Sequence, residues 1–282
     1  MSSILTNHSA IVALQTLKSI NAGLTKAQSE ISTGKAVGSA KDNAAVWAIS
    51  KVMESDESGF RAVQKSLNVA NAVVGTALTG AEQITKLLQE MKALAISGNN
   101  DAAEFGKINA DIQAKKTQIT SIIAGTQMNG VNLLKTDVAG SGVTNYSVTG
   151  SLDRTFGTAT PAAAPITVAS VNFQAGGIQN ITIDPITTRA EAATALGQIE
   201  SMLTIAISGA TALGTSAKQI ADQADFVGKL ADSLKIGVST LVDADIEEAS
   251  ARLQALQTQQ QLGIQSLSIA NQAPSAILAL FR

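Results

Sequence analysis

Residues 196–241 read LGQIESMLTIAISGATALGTSAKQIADQADFVGKLADSLKIGVSTL. Apolar side chains recur here in alternating steps of three and four residues, the heptad spacing of a helix that packs along one side. The repeat runs without a miss through Leu196, Ile199, Leu203, Ala206, Ala210, Leu213, Ala217, Ile220, Ala224, Val227, Ala231, Leu234, Val238 and Leu241. At 1.5 Å per residue, the stretch predicts a helical rod of roughly 70 Å.

A second repeat with the same spacing lies in the N-terminal half of the chain. It comprises Phe60, Val63, Leu67, Ala70, Val74, Ala77, Ala81, Ile84, Leu88, Met91 and Ala95. A third helix is predicted from Ala102 to Leu134, after a turn at residues 98–101. Two long repeats in one chain predict a mainly α fold: a long coiled-coil bundle in which the N- and C-terminal halves are paired.

The positions of the prolines support two long helical regions. Pro161, Pro165 and Pro185 lie within one stretch and Pro274 lies near the end, so residues 1–160 and 186–273 contain none. Proline disrupts helix interiors, so long helices are possible in both regions. The repeat at residues 196–241 also contains interior glycines, each of which costs about 1 kcal/mol of helix propensity. They are Gly209, Gly214, Gly228 and Gly237. Packing rather than propensity is therefore expected to hold this helix.

Between the helical regions the apolar period changes from the helical spacing to two. Ile166 and Val168, and then residues 171–183, alternate as β-strands do. The run Ala175-Gly176-Gly177 is typical of a turn between two strands. The sequence therefore predicts a small β-hairpin region at residues 141–185.

Composition and motifs argue against an enzyme. The chain has no cysteine, which excludes disulfides and thiolate sites, and its net charge of −2 provides no excess positive charge for binding nucleic acid. The zinc-protease, phosphate-loop and nucleophile-elbow motifs are absent. Asp243, Asp245 and Glu247 resemble the start of a calcium loop, but Glu248 occupies the glycine position and Gln254 the twelfth. These acids are more typical of a helix start, so no catalytic, metal or cofactor site is predicted.

Both chain ends lack charge. Residues 1–17 and 253–281 contain no Asp, Glu, Lys or Arg. The second run contains seven glutamines, too many polar side chains for a membrane span. The first run lacks the pattern of a signal peptide. We expect no membrane span, and a route other than the signal-peptide pathway if the protein leaves the cell.

Each end nevertheless has helical periodicity and predicts one amphipathic helix. The apolar positions are Leu17, Ile20, Leu24, Ala27 and Ile31 near the start, and Leu253, Leu256, Ile264 and Leu267 near the finish, with Gln260 among them. A pair of such helices leaves half of its apolar surface in contact with water. The missing contacts are therefore expected to come from other copies of the chain.

Three stretches resemble those of one known family. Residues 32–50 read STGKAVGSAKDNAAVWAIS and resemble the signature S-T-G-x-x-V-x-S-A-x-D-N-A-A-x-x-A-I-S. Residues 266–282 read SLSIANQAPSAILALFR and resemble a terminal A-N-Q-x-P-x-x-x-L-x-L-L-R. Residues 173–184, FQAGGIQNITID, are similar to a Gly/Ala turn followed by T-I-x-I-D. These stretches occur in the same order in bacterial flagellins, which the chain resembles from end to end.

The resemblance implies domains built from non-contiguous halves. Residues 1–44 with 242–282 would form an inner coiled-coil domain that lines the filament channel, and residues 45–241 a rod-like shell domain. No separate large outer domain is expected, because only Pro185 to Glu191 separate the hairpin region from the returning helix. The spoke that joins the two domains would comprise Ser39, Ala40, Lys41, Asp42 and Asn43.

The resemblance also implies a function and its partners. The chain would be a subunit of the flagellar filament, which serves motility. An export chaperone would hold it unfolded, and it would be secreted through the flagellar type III apparatus. It would then polymerise at the filament tip beneath the filament cap, in a filament that junction proteins join to the hook. Packing of the inner domain would fall to Leu14, Leu17, Leu24, Ile31, Leu253, Leu256, Ile264 and Leu267. Two alternatives remain open: a hook–filament junction protein, and a secreted adhesin or effector with a coiled-coil rod.

One departure from the family concerns a vertebrate receptor. Flagellins sensed by the Toll-like receptor for flagellin carry an Arg and, three residues later, a Glu, at the positions of Glu90 and Ala93. The region corresponding to the receptor surface is Gln89, Glu90, Met91, Lys92, Ala93 and Leu94. Charge reversal at Glu90 predicts weak receptor activation.

Overall fold

The computed structural model of the chain describes residues 7–100, 102–140, 142–153 and 162–280. In these residues it contains the α-helices α1 His8–Thr33, α2 Ala44–Ser97, α3 Phe105–Gly125, α4 Arg189–Val242 and α5 Ile246–Leu280, and the strands β1 Asn145–Asp153 and β2 Ala162–Ala169. A short 3₁₀ helix spans Ile178–Asn180. The predicted fold class, mainly helical with a small antiparallel hairpin, is confirmed.

The chain packs as two compact units. The terminal unit comprises Met1–Glu57 and Asp232–Arg282, and the central unit comprises Ser58–Ala231. Each unit therefore combines segments from both halves of the sequence. The boundaries of the predicted inner and shell domains lie at residues 44/45 and 241/242, and so differ from the boundaries of these two units. The functional division into inner and shell domains stays a prediction.

The core of the central unit is built from the two heptad repeats. On α2, every repeat position from Val63 to Ala95 is buried, and Phe60 packs against them at the edge. On α4, the buried repeat positions include Ile199, Leu213 and Val227. The remaining α4 positions in this unit are buried or packed against the core, so both repeats are confirmed here as packing faces.

A glycine on α4 allows the largest core side chain to approach the helix. Phe173 has no exposed surface, and its ring lies against Gly209. A Cβ added at Gly209 would lie 2.6 Å from two ring carbons, closer than atoms can pack. Gly209 therefore provides the space that Phe173 occupies, which is a packing reason for accepting the lower helix propensity of glycine.

The third helix is shorter than predicted, because α3 begins at Phe105 rather than Ala102 and ends at Gly125 rather than Leu134. Asn129 and Gly130 both have positive φ, at 53° and 78°. Met128 and Val131 exchange two backbone hydrogen bonds of 3.0 Å around them, as in a tight hairpin turn that a helix cannot contain. The Asn-Gly pair was the sequence signal for this turn.

After that turn, a buried amide side chain fixes the returning segment. The Asn132 amide donates to the Ile123 carbonyl at 2.8 Å, and its oxygen accepts from the Leu134 backbone N–H at 2.9 Å. Leu133 and Leu134 are thereby placed in the core although they lie outside the helix.

The hairpin lies in the predicted region, but its strands differ from the predicted ones. β1 pairs antiparallel with β2, with Val148 opposite Ile166, whereas residues 171–183 form no strand. Asn172 has a φ of 43°, and its side-chain oxygen accepts hydrogen bonds from the Ala175 N–H and the Thr136 hydroxyl. This local bonding ends the extended segment, so the predicted turn at residues 175–177 is followed by the 3₁₀ helix.

The packing at Gly209 leads to a stability prediction. Gly209→Ala is expected to lower the free energy of unfolding of the full chain by about 1–2 kcal/mol, since overpacking against the Phe173 ring outweighs the gain in helix propensity. Gly214→Ala, on the same helix with no atom within 4 Å of its added Cβ, should instead raise it by up to about 1 kcal/mol. Urea unfolding followed by circular dichroism measures both, and equal effects of the two substitutions would contradict the packing role.

Candidate functional site

The two ends of the chain meet in an antiparallel pair of helices, α1 and α5, within the terminal unit. A leucine from each helix rests on a glycine of the other. A Cβ at Gly23 would lie 3.4 Å from the Leu256 side chain, and one at Gly263 would lie 3.3 Å from that of Leu17. These two leucine–glycine contacts fix which residues of the two helices face each other.

Amide side chains add two polar ties to the same pair. Asn7 donates from its side chain to the Ala270 carbonyl at 2.7 Å, and its oxygen accepts from the Ala10 N–H at 3.1 Å at the start of α1. The Gln260 amide donates to the Asn21 side-chain oxygen, also at 2.7 Å. The pair is therefore tied by neutral hydrogen bonds between residues at opposite ends of the chain.

The predicted inner-domain packing residues fall into two groups. Six are half-buried along the pair: Leu17, Leu24, Ile31, Leu253, Leu256 and Leu267. The other two, Leu14 and Ile264, are exposed, with 46% and 55% of their surface open. The isolated chain thus brings the first group together and leaves the second without apolar neighbours that bury it.

Further large apolar side chains on these two helices are exposed. Ile11 and Val12 on α1 and Leu262 and Ile269 on α5 are each more than half open to solvent. No charged side chain lies between His8 and Leu17 on α1, or after Arg252 on α5. Exposed apolar residues grouped on an uncharged surface are typical of a protein–protein contact.

A short backbone bridge joins the segment after α1 to the junction between α4 and α5. Lys35 and Asp243 form an antiparallel β-bridge. The Ala36 N–H donates to the Val242 carbonyl at 2.8 Å, and the Ala244 N–H donates to the Gly34 carbonyl at 2.9 Å. Both chain halves are therefore connected by main-chain hydrogen bonds where the helix pair begins. Sequence reasoning missed this bridge, because its residues form no apolar pattern.

Gly34 makes the bridge possible. It ends α1 in the left-handed conformation at a φ of 71°, and its N–H donates to the Glu30 carbonyl at 2.9 Å. Residues with a Cβ are strained in this conformation, whereas glycine is not. The helix can therefore end there and turn toward residues 242–244.

The predicted spoke residues form a compact turn centred on Asp42. One carboxylate oxygen accepts from the Ser39 N–H at 2.9 Å, the Ser39 hydroxyl at 3.0 Å and the Gly38 N–H at 3.2 Å. These bonds, chiefly those from Ser39, hold the pKa of Asp42 below its ordinary value, and the charge of Lys26 adds to the effect. Asn43 precedes α2 and caps its start, with its side-chain oxygen accepting from the Val46 N–H. Ala40 and Lys41 lie exposed at the turn.

The acidic segment before α5 is a helix start, as predicted. Asp245 precedes Ile246, the first residue of α5, and its side chain accepts from the N–H groups of Glu247 and Glu248 at 2.9 and 3.1 Å. Across the described residues, His, Asp and Glu side chains form no group able to hold a metal ion. The described part of the chain also contains no helix long and apolar enough to cross a bilayer.

Residues 89–94 divide between the core and the surface of the central unit. Met91 is fully buried and Leu94 packs against the core, whereas Gln89 and Ala93 are exposed. Glu90 lies 2.5 Å from Lys115 on α3, and this contact lowers the pKa of Glu90. Lys92 lies 2.8 Å from Glu200 on α4. The charge at Glu90 is therefore held in place by its own chain.

Comparison with known proteins identifies the family. Residues 4–139 match the bacterial flagellin N-terminal helical region, and residues 186–281 match the bacterial flagellin C-terminal helical region. The chain belongs to the bacterial flagellin family. Flagellins are structural proteins, and this flagellin is a structural subunit of the flagellar filament.

Individual relatives match the flagellin chain along its whole length. Flagellin FljM of Caulobacter vibrioides is 40% identical and covers 100% of this chain and 99% of its own length. A flagellin of Brucella melitensis is 38% identical, with both chains fully covered. A solved structure of a putative flagellar hook-associated protein from Vibrio parahaemolyticus covers 72% of this chain and 100% of its own, with a TM-score of 0.53 and 12% identity. The last similarity concerns the fold alone.

The bridge at Gly34 provides a test of how this flagellin connects its two ends. Gly34→Ala is expected to cost about 1–2 kcal/mol, because alanine is strained in the left-handed conformation, and so to open the bridge. The Ala36 and Ala244 amide protons should then exchange faster with solvent. Gly38→Ala is the matched control, since its added Cβ would meet only Asp42, at 3.9 Å. Unchanged exchange at both amides in Gly34→Ala would contradict the bridge.

Proposed function

We propose that this flagellin polymerises through its terminal helix pair, which forms the inner layer of the filament around a central channel. The observation that carries the proposal is the exposure of Leu14, Ile264 and their apolar neighbours on the uncharged parts of α1, up to Leu17, and of α5, after Arg252. Contacts with further copies would bury these side chains at roughly 25 cal/mol per Å² of apolar area. Between residues 7 and 17 and between residues 253 and 280, no carboxylate or ammonium group would have to be desolvated in the process.

The rest of the molecule takes the complementary role in this proposal. The central unit, with its continuous core, would form the bulk of the outer shell, and the turn around Asp42 would serve as the spoke between the layers. The shell begins at residue 45 and ends at residue 241 in this division. The described chain supports it with a compact turn at Ser39 to Asn43 and with main-chain bonds at residues 34–37 and 242–244.

Export in an unfolded state is the second part of the proposal. An export chaperone would hold the C-terminal helix, and the chain would pass through the flagellar type III apparatus and the hollow filament to fold beneath the cap, outside the cell. The composition supports this route: no cysteine can form a premature disulfide, and aromatic residues make up only 3% of the chain. A segment that orders on docking loses its conformational entropy only at that step.

The alternatives predict different assemblies. A hook–filament junction protein would be present in a short ring, and an adhesin or effector with a coiled-coil rod would remain soluble or trimeric. Nothing in the comparisons favours either. Electron microscopy of the purified protein at high concentration distinguishes them, since long helical tubes support the filament subunit and their absence contradicts it.

Removal of residues 253–282 tests the polymerising surface. The truncated chain should form no filaments, because most of α5 and its contacts with α1 are lost. Sedimentation and electron microscopy measure polymer, and circular dichroism checks that the central unit, which contains none of the removed residues, remains helical. Normal filaments from the truncated chain would refute the role of the helix pair.

A further proposal concerns the vertebrate flagellin receptor, which we expect this flagellin to activate weakly. Glu90 places a negative charge, held by Lys115, where recognised flagellins carry an arginine. A like-charged contact in an interface costs several kcal/mol, so activation should fall by at least about tenfold relative to a recognised flagellin. A reporter-cell assay measures the response, and the double variant Glu90→Arg/Ala93→Glu should raise it. Strong activation by the native chain would contradict the proposal.

A further inference from the structure

One side of the terminal helix pair has a groove with a volume of about 550 Å³. Its lining, which we call the side groove, consists of Ala13, Thr16, Ser19 and Ile20 from α1 and Gln259, Leu262, Gly263 and Ser266 from α5. None of these residues is charged, and most of them are small. The hydroxyl of Thr16 already donates to the Val12 carbonyl at 3.0 Å, so covering it costs no hydrogen bond.

The opposite side of the same helix pair has two protruding apolar side chains. Residues two positions apart on an α-helix point about 160° away from each other, because each residue turns the helix by 100°. Leu14 is two positions from Thr16, and Ile264 is two positions from both Leu262 and Ser266. Leu14 and Ile264, which we call the ridge pair, therefore lie on the side away from the side groove.

The ridge pair and the side groove also lie at the same level along the helices. Leu17 packs at Gly263, which aligns the two antiparallel helices. Leu14 is one turn before Leu17, and Ile264 follows Gly263 directly, so the two side chains lie within about 3 Å of each other along the axis. Ala13 and Ser266 line the groove at this level.

We propose that the ridge pair of one copy packs into the side groove of the next copy. This inference rests on the proposed function, in which the helix pair is the polymerising surface, and it names the two faces that meet. A contact between two different faces of the same molecule is heterologous, and its repetition gives a ring or a helix rather than a closed dimer. A filament needs this type of contact.

A second copy is the occupant that the charges favour. The nearest charged side chain on the ridge side is Lys18, one turn beyond Leu14, and no charged residue lines the groove. The groove is therefore neutral, with half of its lining polar but uncharged, and the ridge side has one charge nearby, at Lys18. A soluble partner with an acidic or basic surface would gain no ion pair in the groove. The chain also belongs to a family that polymerises, which makes a second copy the available partner.

Engineered cysteines test the contact directly, because the chain has none of its own. The double variant Leu14→Cys/Ser266→Cys places one thiol on the ridge side and one in the groove. Assembled filaments treated with a mild oxidant should give a ladder of covalent multimers on a denaturing gel. In Leu14→Cys/Ile264→Cys both thiols lie on the ridge side, so this control should give no ladder. A ladder from the control, or none from the test variant in normal filaments, would overturn the proposal.

A size exchange provides a second test that requires no cross-link. Ser266→Leu fills the groove and should raise the concentration needed for polymerisation by about tenfold, the effect of losing one buried aliphatic contact. Adding Leu14→Ala, which shortens the ridge, should restore polymerisation in part. If Ser266→Leu polymerised at the same concentration as the wild type, the inference would be overturned. Failure of the proposed function itself is recognised separately, because filaments would then form without residues 253–282.

Discussion

The packing of side chains from distant segments onto helix glycines is the constraint on which the structure depends. In the terminal unit, Leu256 rests on Gly23 and Leu17 on Gly263, and in the central unit the Phe173 ring rests on Gly209. The chain contains few aromatic residues, so its interior is filled mainly by aliphatic side chains, some of which lie directly on helix glycines. Each contact specifies which positions on two distant segments are opposite, and so sets the register of the helices.

The two units differ in how much of their apolar surface the chain itself buries. In the central unit, the repeat positions of α2 are covered by the chain itself, and the large side chains Leu67, Ile84 and Leu88 have no exposed surface. Among the described residues of α1, Ala27 is the one apolar residue that is fully buried. Larger apolar side chains on α1 and α5 remain exposed. The first unit has a core of its own, whereas the second has surface that further copies can cover. This difference locates the candidate assembly site.

Local sequence patterns predicted the features that depend on one segment. They failed where contacts with a distant segment determine the structure. The heptads from Phe60 and Leu196 identified the long helices, and the uncharged ends identified the terminal pair. The end of α3 was misjudged because Ile119 and Ile122 continue a helical pattern toward the Asn129-Gly130 turn, although that dipeptide was a signal. The prediction of strands at residues 171–183 was wrong. The apolar residues there, such as Phe173 and Ile183, are spaced as in a strand, but they are buried in the core from a segment without strand pairing. The glycine contacts and the Lys35–Asp243 bridge require a register that spacing within one segment cannot give.

The lack of charge at the two ends determines how specificity arises there. In the central unit, pairs such as Lys92 with Glu200 can help align the helices. The terminal pair has no such ion pairs between α1 and α5 among the described residues, so its alignment depends on leucine–glycine packing and on the amides of Asn7 and Gln260. Shape and neutral hydrogen bonds are insensitive to ionic screening, unlike exposed charge pairs. A surface of this kind can hold copies together in media of very different salt content, as an extracellular filament requires.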